Sequence, residues 1–521
     1  MTHVNKEIRS ETVPAPVGAY VQARRIGPFV RVSGQLGLGS DDASITGQTR
    51  AALNNVEGVL KAAGLGWSDV LSVQAFLAAD RLFDEFDAAY SAVVPAPFPA
   101  RTTTPHTARW CRLRSPPEPP SPASSPPAPS LRSTPSPSPP TNAHRKKHPM
   151  KIAPFGVEIW MNQYETKATY NLAETCVDSL TVAELLDIAG EKDRFPDTLN
   201  AIRLSYGAIE GSDRLRTAIS ALYETVEPER TIVTHGGIGA NALVHQALVS
   251  PDDHVISVVP AYQQHYSIPE SIGAEVTIIR LREENEFLPD LAEIAAAVRE
   301  NTKLICLTNP NNPTGSLMDA EALRQVGHIA ARVGAYVLVD EVYRGTDEAE
   351  PGITASIADV YDRGISTSST SKAFSLAGLR VGWVAGPAEV IEAVAIHRDY
   401  NTISVGVIDD YLGALALESR DTILQRSRRI TRAHRQIVDA WLESESRVHW
   451  VRPKSGTTAL LRYDADVSSR DFCVGLIEQT GVILTPGSVM EMEGYLRLGY
   501  AYARNELVTG LELISDYLDT I

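Results

Sequence analysis

Cysteine is scarce: Cys111, Cys176, Cys306 and Cys473 are the four in 521 residues, and no two are spaced as CxxC. That scarcity argues against a disulfide framework or a structural zinc site, and it fits a reducing compartment. Long apolar runs are missing too. No stretch approaches the ~18 apolar residues of a membrane span, and the opening MTHVNKEIRSETVPAP lacks the apolar core of a signal peptide, so a cytoplasmic location is expected. Positive charge is in deficit, with 48 Lys and Arg against 64 Asp and Glu and a net charge of −16. Neither nucleic acid nor an anionic membrane is an expected partner of such a surface, which leaves small molecules.

What is present is ordinary globular composition, 43% hydrophobic and 21% charged, in a chain too long for one core. The composition breaks once. Residues 105–149 are dominated by Pro and Ser, and such a segment buries too little apolar surface to offset the entropy of ordering. A disordered linker is expected there, between an N-terminal piece (1–104) and a C-terminal piece (150–521). In the first piece, residues 29–33 and 71–77 read as strands, with helices over 49–66 and 84–93, an α+β pattern. In the second, apolar strands at 255–259, 275–281, 303–308 and 336–339 alternate with helices at 240–249, 291–300 and 321–333. That alternation predicts an α/β fold, a parallel sheet with helices on both faces and a ligand at the carboxyl ends of its strands.

The chemistry-bearing residues fall at those ends. NPNNPTG (309–315) follows one strand and punctuates a tight loop that presents Asn312. The strand at 336–339 runs into Asp340-Glu341-Val342-Tyr343, where a carboxylate ending an apolar strand calls for a cationic partner. ISTSSTSKAFSLAGLRVGW (365–383) places Lys372 among small and apolar residues, where desolvation is expected to lower its pKa and free a nucleophilic amine. Its serines and Arg380 supply donors suited to a phosphate. Upstream, THGGIGANALVHQAL is a glycine-rich turn feeding a helix, a ready anion site.

These motifs, in this order, resemble the class I/II aminotransferases of pyridoxal-phosphate (PLP) fold type I, and the resemblance covers residues 150–521. It implies a large domain over about 200–400 and a small α+β domain built from 150–200 and 400–521. It also implies that Lys372 forms the internal aldimine with PLP and moves the proton at the substrate Cα. Asp340 would hold the pyridine nitrogen, Tyr343 and Asn312 the phenolic oxygen, and Tyr262 would stack on the ring. Ser369, Ser371, Arg380 and the amides of Gly237 and Ile238 would take the phosphate. Tyr206 would reach the phosphate of a neighbouring subunit, making a homodimer, and Arg497 would grip the substrate α-carboxylate. The implied reaction moves an amino group between an L-amino acid and a 2-oxo acid. A PLP-dependent β-lyase, an amino-acid oxidase releasing an imine, and an inactive PLP-fold binding protein are the alternatives. NLAETCVDSL stands where the family carries a glycine-containing lid segment, so Glu174 or Thr175 is expected to line the substrate pocket.

The first piece, through VPAPVGAYVQARRIGPFVRVSGQLGL and FPARTTT, resembles the RidA-type enamine/imine deaminases. Tyr20 and Arg101 match family positions, the arginine being a carboxylate binder there. The resemblance stops after Thr104, before the family's last strand, so this module is expected to be incomplete and inactive.

Overall fold

A computed structural model of the protein describes residues 152–521 and, nearer the N-terminus, residues 5–10, 12–14, 21–26, 29–33, 35, 42, 44–70, 72–77, 83–95 and 100–105. Two compact units divide the chain, residues 1–141 and 142–521. Tyr20, Cys111, the Arg101 side chain and the linker expected beyond Pro105 lie outside the described residues.

In the first unit, strands β1 (Asn5–Ile8), β2 (Ala23–Ile26) and β3 (Phe29–Val32) form an antiparallel sheet, while β4 (Ser72–Leu77) and β5 (Ala100–Pro105) pair in parallel. Helix α1 (Ile45–Ala62) starts where the Ser44 hydroxyl accepts from the Gly47 amide, satisfying an otherwise orphan donor. It packs with α2 (Phe83–Val93) through a core of Leu53, Leu60, Trp67, Phe86 and Tyr90. The expected strand and helix pattern is present.

The second unit is built on seven strands: β6 (Thr231–His235), β7 (His254–Val259), β8 (Glu275–Arg280), β9 (Thr302–Thr308), β10 (Tyr336–Asp340), β11 (Gly364–Ser369) and β12 (Val381–Ala385). Their order across the sheet is β6-β12-β11-β10-β9-β7-β8, and only β12 runs against its neighbours. Strands β7, β10, β11 and β12 are buried along their whole length, as expected where helices cover both faces. One face packs Ile256, Ile305, Leu307, Val337 and Val339, the other Val255, Leu304, Cys306, Leu338 and Ile365, the alternation a pleated strand imposes.

Helix α3 (Gly156–Tyr164) opens the described part of this unit. Helix α4 (Gly236–Leu248) follows β6 without a linker, so the helix expected from residue 240 begins four residues earlier. Two glycines head it, and the first has φ +71°, which only glycine adopts freely. Helix α5 (Gln264–Ile272) follows β7. The helix expected over 291–300 ends at Ala297, because the chain turns extended at Val298 to enter β9. A second, antiparallel sheet comes from the C-terminal part: β13 (Val448–Trp450), β14 (Thr458–Tyr463), β15 (Thr485–Pro486) and β16 (Tyr495–Gly499), ordered β13-β14-β16-β15. Its core joins Leu461, Leu496 and Leu498 to Trp160 and Leu172 from the start of the unit. Among the described residues, no helix is long and apolar enough to cross a membrane.

Candidate active site

The carboxyl ends of the parallel strands converge on Lys372, which lies in the turn after β11 and is half-buried. Its Nζ donates to Thr175 Oγ1 at 2.5 Å and lies 3.7 Å from Cys176 Sγ. Burial works against the ammonium, but Cys176, Tyr343 and Glu174 around it hold the Lys372 pKa above its ordinary value. The sequence-based expectation of a depressed lysine is therefore corrected. The chain brings the Glu174 carboxylate and the ionisable Cys176 and Tyr343 to the amine, and together these outweigh the effect of desolvation. Burial likewise opposes charge on Glu174, yet Lys372 and the Thr175 and Cys176 amides, at 2.7 and 2.9 Å from Oε1, keep its carboxyl below the usual range. Burial pushes the Cys176 thiol up to about 11. Gly499 permits this arrangement, since a Cβ there would lie 1.7 Å from the Glu174 carbonyl oxygen.

Asp340 is the last residue of β10 and 6% exposed. Burial raises its pKa, while the Asn241 amide opposes the rise. Asn241 Nδ2 donates to Asp340 Oδ2 at 2.8 Å, the Val342 amide donates to Oδ1 at 3.2 Å, and Thr367 donates to Asn241 Oδ1 at 2.6 Å. The threonine fixes which end of the carboxamide faces the acid, and that end is a donor, so this hydrogen bond favours the ionised form of Asp340 against the effect of burial. Glu341 points to the opposite side of the strand, where Ser356, Ser366 and the Ile357 amide satisfy it.

Tyr343 Oη accepts from Asn312 Nδ2 at 2.9 Å, and Asn312 Oδ1 lies 3.5 Å from Arg497 Nη1. Arg497 projects from β16, is 4% exposed, and donates through Nη2 to the Ala173 carbonyl and Thr485. Among the described residues its Nε has no partner. An unsatisfied buried guanidinium nitrogen is costly unless a ligand completes it. Tyr262 donates to Glu158 Oε1 at 2.7 Å and packs its ring 4.7 Å from that of Phe155.

A third cluster gathers at the start of α4. Arg380 sits in the left-handed region at φ 53°, its Nη1 donating to the Ala377 carbonyl. A Cβ on Gly236 would stand 2.6 Å from Arg380 Nη2, so the glycine leaves the space that the guanidinium occupies. A Cβ on Gly237 would lie 3.6 Å from Ser369 Oγ, which accepts from the Ser371 amide at 3.2 Å. Ile238 is 40% exposed beside them. The start of the helix, the Ser369 hydroxyl and a guanidinium gather here, groups suited to an anion. Tyr206 is not brought to this site within the chain; it is 81% exposed.

Sequence reasoning missed Asn241, Thr367 and Glu158. Asn241 sits in a segment read as an anion-binding turn and helix, Thr367 in the hydroxyl-rich run read for Lys372 and the phosphate, and Glu158 in a stretch read only as part of the small domain. It also missed a buried trio behind the site, His245, His265 and Cys306, whose potential ligand atoms lie within 4.8 Å of one another. The two rings share a 3.3 Å hydrogen bond, and burial lowers the His265 pKa to about 4.

A seven-stranded, mostly parallel sheet with a lysine, an aspartate and an anion cradle at its carboxyl edge defines a PLP enzyme of fold type I. The model for aminotransferase class I and II matches residues 188–512, and the chain belongs to that family. It is a PLP-dependent aminotransferase. The model for endoribonuclease L-PSP, the family of the RidA-type proteins, matches residues 10–108. Capreomycidine synthase of Streptomyces vinaceus is 30% identical over 377 residues, 71% of this chain and 95% of that protein. An aspartate aminotransferase of Pyrococcus horikoshii is 28% identical over 59% of this chain and 82% of its own length. Among solved structures, a PLP-dependent aminotransferase from Streptococcus suis is 43% identical, with TM-score 0.69, covering 71% of this chain and 99% of that one.

Proposed function

We propose that Lys372 is the residue through which the enzyme holds PLP and moves the substrate's Cα proton. The carrying observation is the Lys372 amine set among Thr175, Cys176 and Glu174, with the Asn312–Tyr343 pair and Arg497 beside it. The donor sets suit the cofactor: Ser369, Ser371, Arg380 and the Gly237 and Ile238 amides for its phosphate, Asp340 for its ring nitrogen, and Tyr343 and Asn312 for its phenolic oxygen. Tyr262 would pack against its ring. When bound, PLP supplies an electron sink that stabilises negative charge at Cα.

The chain's own groups do the rest. Arg497 takes the α-carboxylate with its planar fork, and its unpartnered Nε is available for that anion. Asn312 bridges Arg497 to Tyr343 and so fixes the substrate's carboxylate relative to the cofactor. The Lys372 Nζ carries the proton at Cα between its two positions, the general acid–base role of a positioned amine. An L-amino acid and a 2-oxo acid are the substrates.

A homodimer is part of this reading. Leu204, Tyr206 and Ile209 are 82%, 81% and 56% exposed, an apolar segment for a second copy to cover, with Tyr206 reaching the partner's phosphate site. A cytoplasmic location is supported by the free, buried Cys176, Cys306 and Cys473. The domain limits follow the same reading: 1–104, linker 105–149, and the enzyme from 150 to 521, its large domain about 200–400.

The test is borohydride reduction of the full-length protein with PLP, followed by peptide mapping. A pyridoxyl group on Lys372, together with amino transfer from an L-amino acid to a 2-oxo acid, supports the assignment. Labelling at another lysine, or none, refutes it.

A further inference from the structure

The Lys372 amine donates to an oxygen supplied by a distant part of the chain, Thr175 Oγ1, at 2.5 Å. The segment carrying Thr175 is tied down at several points. The Thr457 hydroxyl donates to the Thr175 carbonyl at 2.7 Å, and the Thr175 amide donates to Glu174 Oε1 at 2.7 Å. On either side of it, the Gly499 amide donates to the Leu172 carbonyl at 2.7 Å and the Asp178 amide to the Ala501 carbonyl at 2.9 Å. The Val177 amide reaches the carbonyl of Lys372 itself at 3.4 Å. Thr175 is 8% exposed, so its hydroxyl stands at a fixed place beside the lysine and is largely withdrawn from water.

The chemistry of that hydroxyl suits one task. On the reading proposed above, Lys372 first holds the cofactor and is then released as a free amine when the substrate's nitrogen takes its place. The released side chain is a flexible four-carbon stem, and nothing in its own structure keeps the amine near the Cα proton. A hydroxyl that accepts from Nζ anchors the amine without competing for the proton, because an alcohol is a far weaker base than an amine. The bond uses one N–H and leaves the lone pair of the nitrogen free to take the Cα proton. The amine becomes an ammonium, keeps its bond to Thr175, and gives the same proton up on the cofactor's side. Cys176 Sγ, 3.7 Å from Nζ, is a weaker acceptor and cannot substitute for the hydroxyl.

We infer that Thr175 is a positioning residue whose hydroxyl holds the released Lys372 amine beside the substrate's Cα. This rests on the transaminase reading above and deepens it. Holding a reacting group within hydrogen-bond reach of its proton is a recognised source of rate.

The experiment compares Thr175→Val, of similar shape without the hydroxyl, with Thr175→Ser, which keeps it, both in the full chain. Before PLP is added, acetylation of Lys372 is followed against pH by mass spectrometry. The bond to Thr175 favours the ammonium, so the labelling midpoint should fall by about one unit in Thr175→Val and stay in place in Thr175→Ser. With PLP bound, the fastest-reacting of the twenty common L-amino acids is then followed in single turnovers through the cofactor's absorbance. Thr175→Val should react roughly 10- to 100-fold more slowly at an unchanged half-saturating concentration, and Thr175→Ser within about threefold of the unsubstituted protein. The slowed reaction should show a primary isotope effect with the Cα-deuterated amino acid at least as large as that of the unsubstituted protein. Thr175→Ala repeats the test if valine impairs PLP uptake. An original rate or labelling midpoint without the hydroxyl overturns the inference, as does a serine variant as slow as valine or a slowing that loses the isotope effect. Those results defeat the positioning role alone. If no amino acid changes the absorbance of the unsubstituted protein, or borohydride fixes PLP to another lysine, the transaminase reading fails and takes this inference with it.

Discussion

Replacing Asn241 with leucine, a side chain of similar volume, isolates one hydrogen bond behind the cofactor site. In the folded protein Asp340 has two donors, Asn241 Nδ2 at 2.8 Å and the Val342 amide at 3.2 Å. Burial already holds its carboxyl above the ordinary range, and the Asn241 bond is the largest opposing influence. A hydrogen bond to a charged group contributes about 1.5–3 kcal/mol, so its loss should raise the Asp340 pKa by about one to two units. The sign follows from which form the bond favours. Asn241 stabilises the carboxylate, so removing it moves protonation of Asp340 to higher pH. On the proposed role of Asp340, the protonated acid no longer supports charge on the ring nitrogen. The acid limb of the pH–rate profile should therefore shift upward by about one to two units, with the dissociation constant for PLP rising about tenfold. Thr367→Val should move both in the same direction by less, because Thr367 only orients the Asn241 amide. The assay is the half-reaction with an amino acid from pH 5 to 9, with cofactor affinity measured separately by absorbance. A leucine variant that binds PLP normally and keeps the original acid limb would refute the account.

Three further outcomes are expected. Arg497→Lys loses the planar fork that meets Asn312 and the proposed α-carboxylate, so KM for the amino acid should rise roughly 10- to 100-fold while the cofactor's spectrum is kept; an unchanged KM would place the carboxylate elsewhere. Gly236→Ala puts a Cβ 2.6 Å from Arg380 Nη2 at a left-handed φ, and thermal unfolding should show a loss of about 1–3 kcal/mol together with weaker PLP binding. Arg447 holds the Glu445 carboxyl at about 2. A carboxyl depressed on folding stabilises above its unfolded pKa and loses that contribution as pH falls through the folded value. About 1–2 kcal/mol, discounted for the partly exposed Arg447, should disappear between about pH 4.5 and 2, and Glu445→Gln should flatten that part of the stability profile.

Much of this enzyme is legible in its sequence because the informative residues are local. Asp340 ends and Asn312 follows a strand whose apolar run is unmistakable, Lys372 follows the hydroxyl-rich β11 and Arg380 stands just before β12, and a parallel sheet places the positions after its strands at one edge whatever the details of packing. The Pro/Ser composition of 105–149 separates the two pieces by arithmetic alone. Other features are decided only when the chain closes on itself. Asn241 and Asp340 are far apart in sequence, and only α4 packing on the sheet turns an unremarkable helical asparagine into a donor to that acid. The Lys372 amine was expected to be depressed by burial; the 171–178 segment brings Glu174, Thr175 and Cys176 to it and reverses the direction. Glu158 meets Tyr262 only because Gln263 ties its helix beside that tyrosine. Sequence determines which groups are available and on which strand ends they fall. The electrostatics of the site depend on distances between distant segments, and those exist only after folding.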